Sequence, residues 1–355
     1  ARLANEPFEL AEALASRSFV MTGAPPLGEH LEVLTELEGL LDSLPSAADR
    51  DRHEQYVLRQ RAPVHFRRGD REAFDEDREA LRRIADERQS WLAEATVAMW
   101  DGMVSLFAGS YDEAEAHYGR MAEVGAREPN FANSLVAALF QVRHAQGRAA
   151  ELREVAEATV AAAPGLVAFR PALARIQLAD DDEVAAEATF RQLATGGFTA
   201  IPQDVTESFS LHHLIDLCVR FGSADDHTLL RRRLARFGGQ YLVAAWGICA
   251  LEPADAGLAR LAESAGNTDE AKELSAAAAA LEGTITIGCS TCGQISGWPS
   301  PSANPAHPHR CASWRGYGSV AHVRGGSSSS GSLKRLPSSS ADVRPGSGST
   351  TTATR

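Results

Sequence analysis

From about residue 5 to residue 282, apolar and small positions recur at intervals of three and four, broken by short polar turns. Residues 91–124, WLAEATVAMWDGMVSLFAGSYDEAEAHYGRMAEV, carry the pattern most openly. Trp91, Ala95, Ala98, Met99, Gly102, Met103 and Leu106 trace one face of a helix. Gly109 is placed to end that helix, because glycine accepts the left-handed conformation a C-terminus requires. Asp112 and Glu113 then fall in the first turn of the next helix, where negative charge suits the helix dipole. Ala114, Tyr118 and Met121 share its inner face. The stretch predicts a helical hairpin.

The same turn chemistry returns at Gly69, Gly109, Gly147, near Asp181, at Gly222 and at Gly266, with intervals of 40, 38, 34, 41 and 44 residues. Self-similarity at such a period predicts a helical solenoid, in which each pair of helices buries its face on the next. Helices of this length are marginal alone in water, so stacking has to supply the stability. Local signals fit. Pro164 should stop the helix after ATVAAA, Pro63 should kink or divide the helix around it, and Asp204 with Glu207 three residues later reads as an N-cap and its partner.

Composition divides the chain in two. Residues 1–282 use a helix-former's alphabet of Ala, Leu, Arg and Glu, while 283–355 are rich in Ser, Gly, Pro, Thr and Arg. The second segment cannot bury enough apolar surface to offset chain entropy and is expected to be disordered. The net charge of −12 is also uneven: residues 284–355 carry seven bases and one acid, leaving 28 bases and 46 acids for the rest. An acidic body disfavours direct nucleic-acid binding. No apolar run reaches membrane-spanning length and no secretory leader opens the chain, so a cytoplasmic protein away from membranes is expected. Five cysteines at scattered spacings make no disulfide framework, and Cys218 and Cys249 read as buried thiols. The chain opens inside a helical pattern without Met, which suggests a fragment lacking an N-terminal portion.

Residues 95–128 place Ala98, Gly102, Ala114 and Tyr118 at the spacings of the tetratricopeptide repeat, with Met121 where that family usually has Ala. Residues 133–166 keep Gly147, Thr159 and the closing Pro164. The run HAQGRAAELREVAEATVAAAPGLVAFRPALARIQLADDDEVAAEATFRQLATGGFTAIPQD resembles the tetratricopeptide-rich C-terminal region of large bacterial signalling ATPases. In those proteins a nucleotide-binding module is joined to LuxR-type DNA-binding domains or to adenylate/guanylate cyclase domains. The resemblance implies a segment that binds a partner and controls the ATPase, and no ATPase or cyclase motif lies in this chain.

Four stretches invite chemistry. Glu113 and His117 are one helical turn apart, but a metal needs three or four ligands, and solvated surface is the simpler reading. GTITIGCS at 283–290 has the outline of a phosphate loop, with Cys289 where the lysine belongs. Cys289, Cys292, His307 (or His309) and Cys311 could close a zinc knuckle, although the second CxxC of a zinc ribbon is missing. The competing expectation is that everything from about residue 283 is a shifted reading frame. His212 and Asp216, four apart, evoke an acid–base couple without a nucleophile.

The expected fold is all-α: a right-handed α-solenoid of about six or seven degenerate tetratricopeptide hairpins over 1–282, with a disordered tail at 283–355. The expected function is a non-catalytic, cofactor-free scaffold or sensor segment of a bacterial signal-transduction or transcription-regulatory ATPase. The alternatives are the C-terminal fragment of a multidomain cyclase or ATPase whose catalytic domains lie upstream, and a zinc module at 289–311. The partner would be a protein, a peptide or another domain of the parent protein. By repeat register, the concave partner-binding face carries Arg59, Gln141, His144, His212, Asp216 and Arg220.

Overall fold

The computed structural model describes residues 6–23 and 26–287. These form seven successive helix pairs: α1 (Pro7–Met21) and α2 (Leu27–Glu38), α3 (Ala47–Arg67) and α4 (Arg71–Arg88), α5 (Trp91–Phe107) and α6 (Tyr111–Val124), α7 (Pro129–Ala145) and α8 (Arg153–Ala162), α9 (Phe169–Ala179) and α10 (Glu183–Ala194), α11 (Glu207–Phe221) and α12 (Ala224–Leu234), and α13 (Ala254–Ser264) and α14 (Thr268–Ile287). Two short strands, β1 (Tyr241–Val243) and β2 (Ala250–Pro253), separate α12 from α13. The expected zinc ligands Cys289, Cys292, His307 and Cys311, and the expected tail from residue 288 onward, lie outside the described residues. Of the phosphate-loop outline, residues 283–287 belong to the end of α14 and are helical.

Each predicted turn joins the two helices of one pair, and five of the six share one hydrogen-bond pattern. At Gly69, Gly109, Gly147, Asp181 and Gly266 the backbone takes positive φ values of 80°, 80°, 71°, 59° and 82°. The N–H of the following residue bonds back across the turn: Asp70 to the His65 carbonyl (2.9 Å), Ser110 to Ser105 (2.9 Å), Arg148 to Arg143 (2.7 Å), Asp182 to Gln177 (2.9 Å) and Asn267 to Ala262 (2.9 Å). The left-handed residue itself bonds three back in every case, completing a Schellman motif that satisfies two orphan carbonyls. Gly222 is different. Its φ is −69°, and the turn is closed from the other side by a capping box between Ser223 and Asp226.

Two local expectations need correction. Pro63 neither divides nor ends α3, which runs through it for 21 residues. Proline removes one hydrogen bond there, but Val57, Leu58, Ala62, Val64 and Phe66 are buried on both sides of it, and that packing holds the helix together. Asp204 does not cap α11 either: Thr206 is the N-cap, and the Asp204 carboxylate accepts from its N–H and hydroxyl. Glu207 turns inward to pair with Arg233 (2.6 Å) and Arg236 (3.3 Å).

The described residues are mostly helical, in keeping with the all-α reading, and the two short strands are the feature the periodicity did not predict. Residues 238–253, GGQYLVAAWGICALEP, make an antiparallel ribbon with Tyr241 opposite Pro253 and Val243 opposite Ala250. The ribbon sits inside the molecule. β1 packs on α3 and α11, and β2 on α5, α11, α13 and α14, while α14 also returns to α4. Trp100 Nε1 donates to the Trp246 carbonyl (3.1 Å), and the buried Tyr118 hydroxyl donates to that of Ile248 (2.8 Å). The Phe66 and Tyr241 rings meet edge to face at 5.7 Å. One apolar core therefore spans Leu58 to Ile285, and a smaller one holds Ala11, Leu14, Val33, Leu37, Leu44 and Val57.

Candidate functional site

Four of the six expected groove residues meet, but inside the protein. Gln141 and His144 come from α7, and His212 and Asp216 from α11. Arg175 of α9, His213 of α11, Glu252 of β2 and Arg260 of α13 complete the cluster. His212 Nδ1 lies 2.7 Å from Glu252 Oε1, with both side chains 3% exposed. Arg260 grips the same carboxylate with two parallel hydrogen bonds, at 2.8 and 2.9 Å. Asp216 lies between Arg260 (3.3 Å) and Arg175 (2.9 Å). Arg175 Nη2 is in turn 2.9 Å from His144 Nε2.

His213 forms the apolar side of the cluster. Its ring packs edge-on against Phe209 (4.4 Å between centroids), Phe140 (4.9 Å) and His212 (4.8 Å). The Gln141 amide donates to its Nε2 at 3.2 Å, which puts the imidazole proton on Nδ1, buried without an acceptor.

Electrostatics follow from burial. Desolvation holds His144 and His213 well below the ordinary histidine range, and the Arg175 charge pushes both further the same way. Burial alone would raise the Glu252 carboxyl, but Arg260 and His212 outweigh it and hold the pKa at about 2. Every charged group is matched by a neighbour on a different element, so the cluster ties α7, α9, α11, α13 and β2 into one register. It contains no thiol or hydroxyl nucleophile. Cys249 is fully buried with its thiol pushed up by desolvation, and the Ser208 hydroxyl is committed to the Val243 carbonyl (2.7 Å).

Gln141, Arg175, His212, His213 and Glu252 are buried, His144, Asp216 and Arg260 are half-buried, and the ribbon between α12 and α13 packs on α11 beside them. Arg220 lies apart on the surface, paired with Glu183 (2.7 Å). Arg59 lies apart as well, in a cleft between α1, α3, α5 and α7 that Trp246 also lines. Glu252 and Arg260 were not expected. The signal that could have found them is an acid and a base eight apart on either side of PADAGLA.

Glu113 is exposed on α6 and His117 is half-buried. No group of three His, Cys, Asp or Glu side chains is placed to hold a metal among the described residues. Nor is any helix among them long and apolar enough to cross a membrane. No protein-family model matches the chain, and no curated protein matches it.

Proposed function

We propose that this chain is a right-handed superhelix of degenerate tetratricopeptide hairpins that serves as the interaction or sensor segment of a bacterial signalling or transcription-regulatory ATPase. The observation that carries the reading is the recurrence of one Schellman turn at five of the seven helix pairs, at spacings of 34 to 44 residues or their sums. Such turns close many helices, and it is their return at this period, with Gly or Asp at the left-handed position, that supports a repeated unit. The close seating of Gly102 on Tyr118 adds the small-residue and aromatic pairing that the tetratricopeptide resemblance implies.

On this reading the chain performs no catalysis, works in the cytoplasm, and modulates a nucleotide-binding module of the parent protein or a protein partner. The ribbon at 238–253 is an insertion that closes the inner face between α11 and α13. Partner contacts then fall on outer helices or on the rim rather than on the buried histidines.

The test has two stages. The reading frame upstream of Ala1 is translated and inspected for a phosphate-binding loop. ATP hydrolysis by the whole gene product is then measured with and without residues 6–287. A change in turnover on deletion is expected. Unaltered hydrolysis would exclude a regulatory role, and an upstream cyclase module would favour the alternative of a multidomain cyclase.

A further inference from the structure

The cleft that holds Arg59 has a volume of about 330 Å³. Tyr56 and Arg59 reach it from α3, Trp91 from the start of α5, Phe131 from α7, and Trp246 from the ribbon. The carboxylate of Glu128, the N-cap residue of α7, lies on its border. With Phe19 of α1, five aromatic residues and one cation thus line a single cleft.

Nearly every other polar group that lines it is already committed within the fold. The Tyr56 hydroxyl donates to the Ala15 carbonyl (2.7 Å), Thr96 to Leu92 (2.8 Å) and Ser134 to Asn130 (2.8 Å). The Gln60 amide oxygen accepts from Thr22 (2.7 Å), and Glu128 accepts from the Asn130 N–H (3.3 Å). Arg59 is the exception. Its Nε is buried without an acceptor, and no carboxylate balances its charge among the described residues. Desolvation holds its guanidinium below the ordinary arginine range, with only Tyr56 acting in the other direction. Three other arginines set into the fold meet carboxylates: Arg61 with Asp77 (2.7 Å), Arg260 with Glu252 (2.8 Å) and Arg233 with Glu207 (2.6 Å). The buried Arg67 meets the Gln240 amide oxygen instead (2.9 Å), whereas Arg59 Nε is left without an acceptor at the wall of a cavity.

The chemistry of the lining narrows the occupant. A guanidinium fork matches the two coplanar oxygens of a carboxylate. The rings offer flat apolar surface of the kind that encloses an aromatic body. Glu128 limits the charge, because a second negative group would meet its carboxylate with no further cation in the lining to offset it. We propose that the cleft binds a small aromatic monocarboxylate, with the acid on Arg59 and the ring among Trp91, Phe131 and Trp246. This site goes beyond the repeat reading and does not rest on it.

Trp91 and Trp246 provide the readout. The full chain is titrated with 3-phenylpropionate, with its neutral isostere 3-phenylpropionamide, and with phenyl phosphate, following tryptophan fluorescence and heat. The acid is expected to bind at least about tenfold more tightly than the amide, the discrimination one charge-assisted pair supplies. Phenyl phosphate, which carries nearly two charges, is expected to bind more weakly than the acid. Arg59→Gln should erase the preference for acid over amide while the circular dichroism stays unchanged.

Equal affinity for acid and amide overturns the proposal, as does absence of binding up to on the order of 10 mM. So does a preference that survives in Arg59→Gln. The acid–amide contrast needs no variant, so it decides the matter even if that variant fails to fold. The peptide acetyl-Gly-Gly-Phe separates a free acid from a chain terminus. Weaker binding than 3-phenylpropionate supports the free acid, and tighter binding overturns it in favour of a peptide end.

Discussion

Gly102 of α5 lies directly under the ring of Tyr118 of α6: a Cβ on Gly102 would stand 2.7 Å from Tyr118 Cε1 and 2.9 Å from Cζ. The ring cannot retreat, because it is fully buried and its hydroxyl is fixed on the Ile248 carbonyl at 2.8 Å. Gly102 therefore sets how closely the two helices approach, and Tyr118 fastens them to the ribbon. Gly102→Ala is expected to destabilise the protein by about 1–3 kcal/mol through overpacking, even though alanine is the better helix former by roughly 1 kcal/mol. Tyr118→Phe should cost about 1–3 kcal/mol, since it strands a buried carbonyl. Urea denaturation measures both. A Gly102→Ala midpoint at or above the wild type would show that the contact relaxes at no cost.

Removing Glu252 takes from Arg260 its bidentate carboxylate and from His212 the group 2.7 Å from its Nδ1. Glu252→Ala is expected to cost about 3–5 kcal/mol, the range for stripping one partner from a buried ion pair. The exposed pair Arg191–Glu187 is the control, because its removal should change stability by less than about 1 kcal/mol. If the two variants unfold at the same urea concentration, the cluster does not act as an interior network.

Acid should destabilise the fold earlier than carboxylate protonation alone requires. His30 is held at about 4 by burial with some help from Arg67, and burial also lowers His144 and His213. Each is neutral in the native state and becomes protonated in the unfolded chain below its ordinary value of about 6.5. The unfolded state then binds more protons, so stability falls as pH falls from about 6.5 towards 4. Above pH 7 these groups contribute no slope. His30 alone accounts for roughly 3 kcal/mol across that window. Calorimetry from pH 8 to 4 should show the decline, and His30→Gln should make it shallower. An unfolding temperature that stays flat between pH 6.5 and 4.5 would contradict the burial of these imidazoles.

The helix pairs and their turns were legible because they rest on local chemistry. Gly109, Ala114 and Tyr118 declare a turn and an inner face without reference to anything distant. What escaped is non-local. Tyr241 and Val243 pair with β2 only because α3, α5 and α11 enclose both strands, and a run such as YLVAAWGICAL reads equally as a buried helix. The ribbon also supplies contacts that the register could not foresee. Repeat register predicts which way His212 points on α11, and it does point inward, but only the ribbon decides that Glu252 rather than a partner meets it. Arg59 was singled out by the same register and lies in a cleft, where Trp246, 187 positions along the chain, closes one side.

Cys218 and Cys249 are both free and buried, and burial pushes the Cys218 thiol up to about 12. In a variant with Cys289, Cys292 and Cys311 replaced by Ser, neither remaining thiol should react with a disulfide reagent at pH 8 within minutes, because the thiolate is the attacking species. Both should react once urea unfolds the chain. Rapid labelling of either thiol under native conditions would mean that the α11 end or the ribbon opens on that timescale.

Asp181 does at the α9–α10 turn what glycine does at four others, holding φ at 59°. A residue with a Cβ pays roughly 1–2 kcal/mol to enter the left-handed region, less for Asp than for most. Asp182, not Asp181, supplies the N-cap by accepting from the Ala185 N–H at 3.1 Å, so Asp181 is exchangeable without loss of the cap. Asp181→Gly is therefore expected to raise stability by about 0.5–1 kcal/mol, the strain relieved less the entropy glycine adds to the unfolded chain. The mirror change Gly109→Ala, at φ 80°, should lower it by about 1 kcal/mol or more. Opposite shifts of the urea midpoint are the signature of one turn geometry shared between hairpins. If Asp181→Gly destabilises instead, the α9–α10 turn depends on its side chain and is not equivalent to the others.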